Sequence, residues 1–191
     1  MEMTLVEYGE RMERLLKLAT EKTHDGIITP AANRMLATIK NRIQQKGENT
    51  DGSKIGQYSK KKMWATREMF DKVSAFKPTP DNGAKKKGKS IKKTMYLKEG
   101  YYELRNIQGK NVGYIDYTYR GDLMLSFQLM NDENKVVMGF NKESEALKRE
   151  GLEERFGIAF SPSKQEIEDY KEEVEENFKD SILALFNIIR T

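Results

Sequence analysis

Apolar residues first recur at helical spacing near the N-terminus, where Leu5, Met12, Leu15, Leu16 and Ala19 predict a helix over residues 5–20. Thr29-Pro30 opens a second helix, carried by Leu36, Ile39 and Ile43 and closed by Gly47. The periodicity then thins. Asp51-Gly52, Pro78-Thr79-Pro80-Asp81-Asn82-Gly83 and Lys85-Lys86-Lys87-Gly88-Lys89 are turn or coil signals, so residues 48–90 read as a long arm with one short helix near 63–70. Residues 96–107 suit a helix with Tyr101, Leu104 and Ile107 on one side, a reading that Gly100 weakens. From there the period becomes two. Leu123, Leu125, Phe127 and Leu129 alternate with Met124, Ser126, Gln128 and Met130, and residues 136–140 follow a four-residue polar loop at 131–134, which predicts a β-hairpin. A short helix over 143–155 should precede Gly157. The closing helix is the clearest element: Ser163 with Glu166 forms a capping-box pattern, Pro162 suits a first turn, and Ile167, Tyr170, Val174, Phe178, Ile182, Leu185 and Ile189 make one apolar stripe, expected to pack on a sheet.

These elements predict an α+β fold: a small antiparallel sheet packed with N-terminal helices and a long C-terminal amphipathic helix, plus an extended basic arm. One domain is expected over 1–191, with a helical part at 1–47, the arm at 48–95, and a hairpin and C-terminal helix core at 96–191.

Charge changes this picture more than composition does. Charged residues make up 34% of the chain, above the usual quarter, and hydrophobic residues 37%, so the core is modest. The net charge of +4 conceals a division. Residues 54–98 carry fourteen Lys/Arg against Glu68, Asp71 and Asp81, a local +11, whereas residues 141–180 carry seven against thirteen Asp/Glu, a local −6. Opposite charges segregated on one chain bind each other internally or join copies head to tail, and the second option builds rings or filaments. With no cysteine, disulfides and thiolate metal sites are excluded. No apolar run approaches a membrane span, and the acidic N-terminus does not match a secretory signal, so a soluble chain without export signal is expected.

The order of four segments carries a resemblance. Gly100, Tyr101, Glu103, Arg105, Gln108 and Gly109 resemble a "G-Y-x-E-x-R-x-x-Q-G" stretch; Gly121-Asp122-Leu123 with Ser126 is similar to a "T-G-D-L-x-x-S" hairpin entry, with Arg120 in place of threonine; Glu153-Glu154-Arg155-Phe156-Gly157 and Phe160-Ser161 are similar to "E-E-R-F-G … L-S". Asp51-Gly52 with Tyr58-Ser59 resembles a "G-x-x-W-x-x-L-S" turn in which Ile55 replaces tryptophan. These segments are those of phage virion-morphogenesis and tail-completion proteins, and the likeness covers roughly the last hundred residues. It implies a small α+β, non-catalytic virion protein of a tailed bacteriophage, assembled as a homo-oligomeric ring near the portal, in the head-to-tail neck (head-tail connector), or completing the tail end.

Candidate chemistry is sparse. His24, the single histidine, stands beside Asp25-Gly26 in an expected interhelical turn, which gives no basis for a histidine nucleophile or zinc site. Arg120-Gly121-Asp122 spells an adhesion tripeptide but serves a turn equally well. Glu172, Glu173 and Glu176, with Glu175, fall on the polar face of the closing helix and read as a solvated or partner-facing surface, not metal ligands. Neither cofactor nor catalytic residue is expected. Trp64 sits in the basic arm as an interface anchor or a local packing residue. Lys85, Lys86, Lys87 and Lys89 could dock on an acidic neighbouring subunit or line a channel through which double-stranded DNA passes. The expected partners are other copies of the chain and neighbouring neck, tail or portal proteins, in a virion assembled in the bacterial cytoplasm. The alternative is a non-specific nucleic-acid-binding protein whose arm tracks phosphates, with affinity that falls steeply as salt rises.

Overall fold

Ile27, Ala31, Ala32, Leu36, Ile39 and Ile43 fall on one face of a helix and all are buried. They sit on a continuous helical run in the computed structural model, which describes residue 13 and residues 24–79, 94–118, 121–132 and 135–190. The run comprises a π-helical turn His24–Ile28, helix α1 (Thr29–Asn41) and a second π-helical turn Arg42–Lys46. After it come β1 (Met63–Thr66), β2 (Thr94–Leu97), α2 (Gly100–Ile107), α3 (Asp122–Ser126), β3 (Phe127–Asp132), β4 (Lys135–Phe140), α4 (Glu143–Phe156) and α5 (Lys164–Arg190). The chain is α+β. It divides into two compact units, one of residues 1–53 and 117–191, the other of residues 54–116. These boundaries do not coincide with those expected at 47/48 and 95/96.

In the larger unit, β3 and β4 form an antiparallel hairpin with Phe127 opposite Phe140 and Asp132 opposite Lys135. The Phe160 ring lies edge-on to both phenylalanines, at 5.4 and 5.2 Å between centroids, and Tyr117 packs on it at 5.4 Å. Helix α5 packs along α1 and the turn before it, and α1 in turn meets β3 and β4. So the closing helix lies on a helix and not on a sheet, contrary to expectation. Its stripe is correspondingly half covered: Ile167 is 37% and Phe178 45% exposed. A single helix against α1 covers a narrower strip than a sheet face would.

In the smaller unit, β1 pairs antiparallel with β2, Met63 opposite Leu97 and Thr66 opposite Thr94. Ala65 and Leu97 are fully buried on one side of this pair. Residues 63–70, expected as a helix inside an arm, are therefore strand β1 followed by a 3-10 turn at Arg67–Met69, because Trp64 and Ala65 find cross-strand partners in Tyr96 and Met95. A second 3-10 turn, Val73–Ala75, brings Phe76 to within 5.3 Å of the buried Phe70 ring. The described part of the expected arm is thus folded.

Four further expectations are corrected. The helix expected over 96–107 begins at Gly100, with residues up to Leu97 in β2. Residues 123–126, expected as strand, form the one-turn helix α3, since Gly121 enters at φ 86° and the Ser126 hydroxyl donates back to the Leu123 carbonyl at 3.0 Å. The hairpin pairing extends to Asp132 and Lys135, closer than the loop expected at 131–134. His24, Asp25 and Gly26, expected as an interhelical turn, are helical. Of the helix expected over 5–20 only Glu13 is described, and it is helical.

Candidate assembly surface

The residues that carry the sequence resemblance are, in large part, residues the fold itself consumes. Gly100 starts α2 at φ 56°, pressed so closely on the segment that leads into β1 that a Cβ there would collide with the Lys61 carbonyl. Only glycine meets both conditions. Tyr101 packs its ring 5.5 Å from that of Tyr58, and Glu103 accepts the Glu99 N–H at 2.9 Å, tying down the helix start. Arg105, 1% exposed, donates to Asp116 Oδ2 at 2.7 Å and to the Asn111 carbonyl at 3.2 Å, with its guanidinium 4.8 Å from the Tyr58 ring centre. The Tyr58 hydroxyl donates to the other Asp116 oxygen at 2.7 Å. Burial, with the Asp116 carboxylate adding to it, pushes that hydroxyl's pKa well above its ordinary value. Gln108 donates to the Met69 carbonyl at 2.6 Å, and Gly109, at φ 68°, completes a Schellman C-cap in which the N–H groups of Gly109 and Lys110 return to the carbonyls of Asn106 and Arg105.

The other segments do comparable work in the larger unit. Gly121 sets the entry to α3, Asp122 is exposed in its first turn, Leu123 is buried and Ser126 closes it. At the end of α4, Glu154 and Arg155 are exposed, and Phe156 offers its carbonyl to Asn49 Nδ2 at 2.8 Å. Gly157 follows at φ 92°, where a Cβ would approach Asn49 Nδ2 to 2.7 Å. Glu153 folds the next residues back by accepting the N–H groups of Ala159 and Phe160, both at 3.0 Å.

A residue that the pattern of the chain does not disclose binds this region together. Arg42, 8% exposed, donates to Glu166 at 2.9 Å and to the carbonyls of Glu48, Ala159 and Ser161. Glu166 also accepts the Ser163 N–H at 2.6 Å while Ser163 Oγ accepts the Glu166 N–H at 3.2 Å. The expected capping box therefore forms, and its carboxylate doubles as the partner of a buried arginine 124 residues away. Nothing local in the sequence marks Arg42 for this role. Ile55, which stands where the resemblance would have tryptophan, is 2% exposed and anchors its turn by burial.

What remains outward-facing is apolar or charged. Trp64 is 59% exposed on β1, its ring 4.9 Å from that of Tyr96. Lys60 stands 4.5 Å over the Tyr102 ring. Leu125, Leu147 and Ile158 are each more than half exposed on the larger unit. Glu172 and Glu176 are exposed on α5, but Glu173 pairs with Arg34 of α1 at 3.3 Å, which removes it from the row expected to meet a partner. Lys85, Lys86, Lys87 and Lys89 lie outside the described residues, as do Arg120 and the run 80–83. The division of charge seen by sequence block holds by compact unit as well. Residues 54–116 hold sixteen Lys/Arg against six Asp/Glu, net +10, and the remainder eighteen against twenty-four, net −6.

Among the described residues no group of three or more His, Cys, Asp or Glu side chains is placed to hold a metal ion, and no helix is long and apolar enough to cross a membrane. Comparison with family models, with curated protein sequences and with solved structures returned no match.

Proposed function

We propose that this chain is a structural protein of a tailed-phage virion that acts by assembling with itself into a ring, in the head-to-tail neck or at the end of the tail, without catalysing a reaction. The observation that carries the assembly reading is the opposite net charge of the two compact units, +10 and −6. Unlike patches on one chain favour heterologous contacts between copies, and such contacts close into rings when the rotation permits. The placement in a virion rests on the order of the four sequence segments. That their residues are occupied in glycine-dependent turns, a Schellman cap and a buried ion pair supports a motif kept for shape and not for chemistry. The lysines at 85–89 then dock on the acidic surface of a neighbouring copy, with neighbouring neck, tail or portal proteins above and below.

Light scattering of the purified chain at low micromolar concentration tests this. A closed multimer that dissociates as salt rises is expected, because exposed charge pairs are screened over about 8 to 10 Å at ordinary ionic strength. Changing Lys85, Lys86 and Lys87 to Glu should weaken the multimer, and changing Glu172 and Glu176 to Lys in the same chain should partly restore it. A monomer that retains double-stranded DNA in a salt-sensitive manner would replace this reading with non-specific nucleic-acid binding.

A further inference from the structure

We propose that copies of this chain join by strand addition, the free edge of β4 in one copy pairing antiparallel with the free edge of β3 in the next. The inference rests on the self-assembly reading above and adds a backbone contact between copies to the charged one. Among the described residues β3 and β4 pair only with each other, so each strand keeps an outer edge. Folded proteins usually protect such edges with charge, proline or a bulge. Residues 136–140, Val-Val-Met-Gly-Phe, contain neither a charge nor a proline.

A groove of about 360 Å³ follows this strand. All five residues from 136 to 140 line it, and Arg149, Phe160 and Pro162 stand across from them. Consecutive strand residues point to opposite faces, so a groove that touches five in succession reaches the edge of the strand as well as the face where Phe160 packs. Phe127 alone represents β3 in its lining. Arg149, paired with Glu150 and Glu153, brings its guanidinium to that wall.

Backbone direction fixes which groups are on offer. The Asn141 N–H donates to the Ser126 carbonyl at 3.0 Å, inside the hairpin. By the alternation of an antiparallel ladder, the N–H and C=O groups of Val136, Met138 and Phe140 therefore face outward from β4, and those of Leu129 and Asn131 outward from β3, whereas the Phe127 N–H is already taken by the Leu123 carbonyl. The two strands are six residues each. Pairing β4 with a neighbour's β3 in the register the hairpin already uses, Met138 opposite Leu129, satisfies these outward groups on both strands. It also sets Lys135 opposite Asp132, the unlike pair that closes the hairpin itself. A two-fold pairing of β4 with β4 about Met138 would set Lys135 opposite Asn141 and leave the lysine without a carboxylate. The unlike charges thus select the head-to-tail arrangement, and repetition of a heterologous contact is what closes a ring.

The chain has no cysteine, which permits a clean cross-linking test. A Leu129→Cys chain and a Met138→Cys chain, mixed and mildly oxidised, should give a disulfide-linked dimer containing one of each, since hydrogen-bonded antiparallel partners stand about 5.5 Å apart at Cα, within the reach of a disulfide. Met138→Pro removes one outward N–H and leaves the inner ladder intact, so it should fold as judged by circular dichroism and associate about tenfold more weakly or worse, the equivalent of one lost backbone hydrogen bond. Wild-type assembly with no mixed cross-link, or with Met138→Cys homodimers alone, overturns head-to-tail strand addition and leaves self-assembly standing. A wild-type chain that stays monomeric overturns both. If Met138→Pro does not fold, the cross-link decides.

Discussion

Arg105→Met offers the most direct measure of what holds the smaller unit together. Arg105 is 1% exposed, and its partner Asp116 has a side chain 8% exposed, with 2.7 Å between Nη2 and Oδ2. Methionine keeps most of the length and the apolar stem but removes the cation, so Asp116 remains buried with its charge uncompensated. Removing one member of a buried pair costs about 3 to 5 kcal/mol. The lower end, about 3 kcal/mol, is expected because the Tyr58 hydroxyl still donates to Asp116 at 2.7 Å. Trp64 is the single tryptophan and belongs to the same unit, so its fluorescence reports from residues 54–116. With a urea dependence of about 1 kcal/mol per M, suited to a unit this small, the midpoint should fall by about 3 M. Adding Asp116→Leu should recover much of the loss, since no unpaired charge is then buried. A single-variant midpoint within about 0.5 M of wild type would refute the ion pair as a main support of this unit. A double variant as weak as the single one would assign the loss to packing of Arg105 against Tyr58.

Other consequences follow from the same contacts. Gly100→Ala should destabilise the smaller unit by at least ~1 to 3 kcal/mol in the same urea assay, because φ 56° is strained for alanine and the Lys61 backbone must also shift. Ser163→Ala, which loses the oxygen that accepts the Glu166 N–H, should cost about 1 kcal/mol in a thermal or urea melt of the larger unit. Phe178→Ala should cost about 1 to 2 kcal/mol in the same melt, short of the ~3 to 5 for a fully buried phenylalanine, because the ring is 45% exposed. Burial raises the pKa of the Tyr117 hydroxyl above its ordinary value, with the Glu153 charge adding to it, so the folded state keeps a proton that the unfolded state sheds above about pH 10. The stabilisation is then full below that pH and is lost as the pH rises further. Tyr117→Phe should flatten the alkaline decline of the melting temperature and cost nothing at neutral pH, where the hydroxyl is buried without a partner.

The elements legible in the sequence were those specified by local chemistry. Ser163 and Glu166 are three residues apart and cap each other whatever surrounds them, and Gly47 and Gly157 end helical runs because the left-handed and extended positive-φ conformations they adopt exclude a Cβ. The alternation read over 123–130, followed by a polar loop and residues 136–140, announced the hairpin. What the tertiary structure decided lies at long range. Residues 63–66 read as helix until they met 94–97 across an intervening lysine-rich stretch, and strand pairing there outweighed a weak local preference. The Leu123 to Ser126 stretch carries a strand's alternation, yet Gly121 at φ 86° turned it into a helix. The stripe on α5 specifies an apolar face but not what covers it, and α1 covered only part of it. Arg42 looks like an ordinary surface charge in sequence and becomes a buried hub only because the fold brings the Glu166 carboxylate and three carbonyls to its guanidinium, while Arg105, part of a motif in the sequence, is buried by the Asp116 carboxylate and the Asn111 carbonyl, partners that no local spacing encodes.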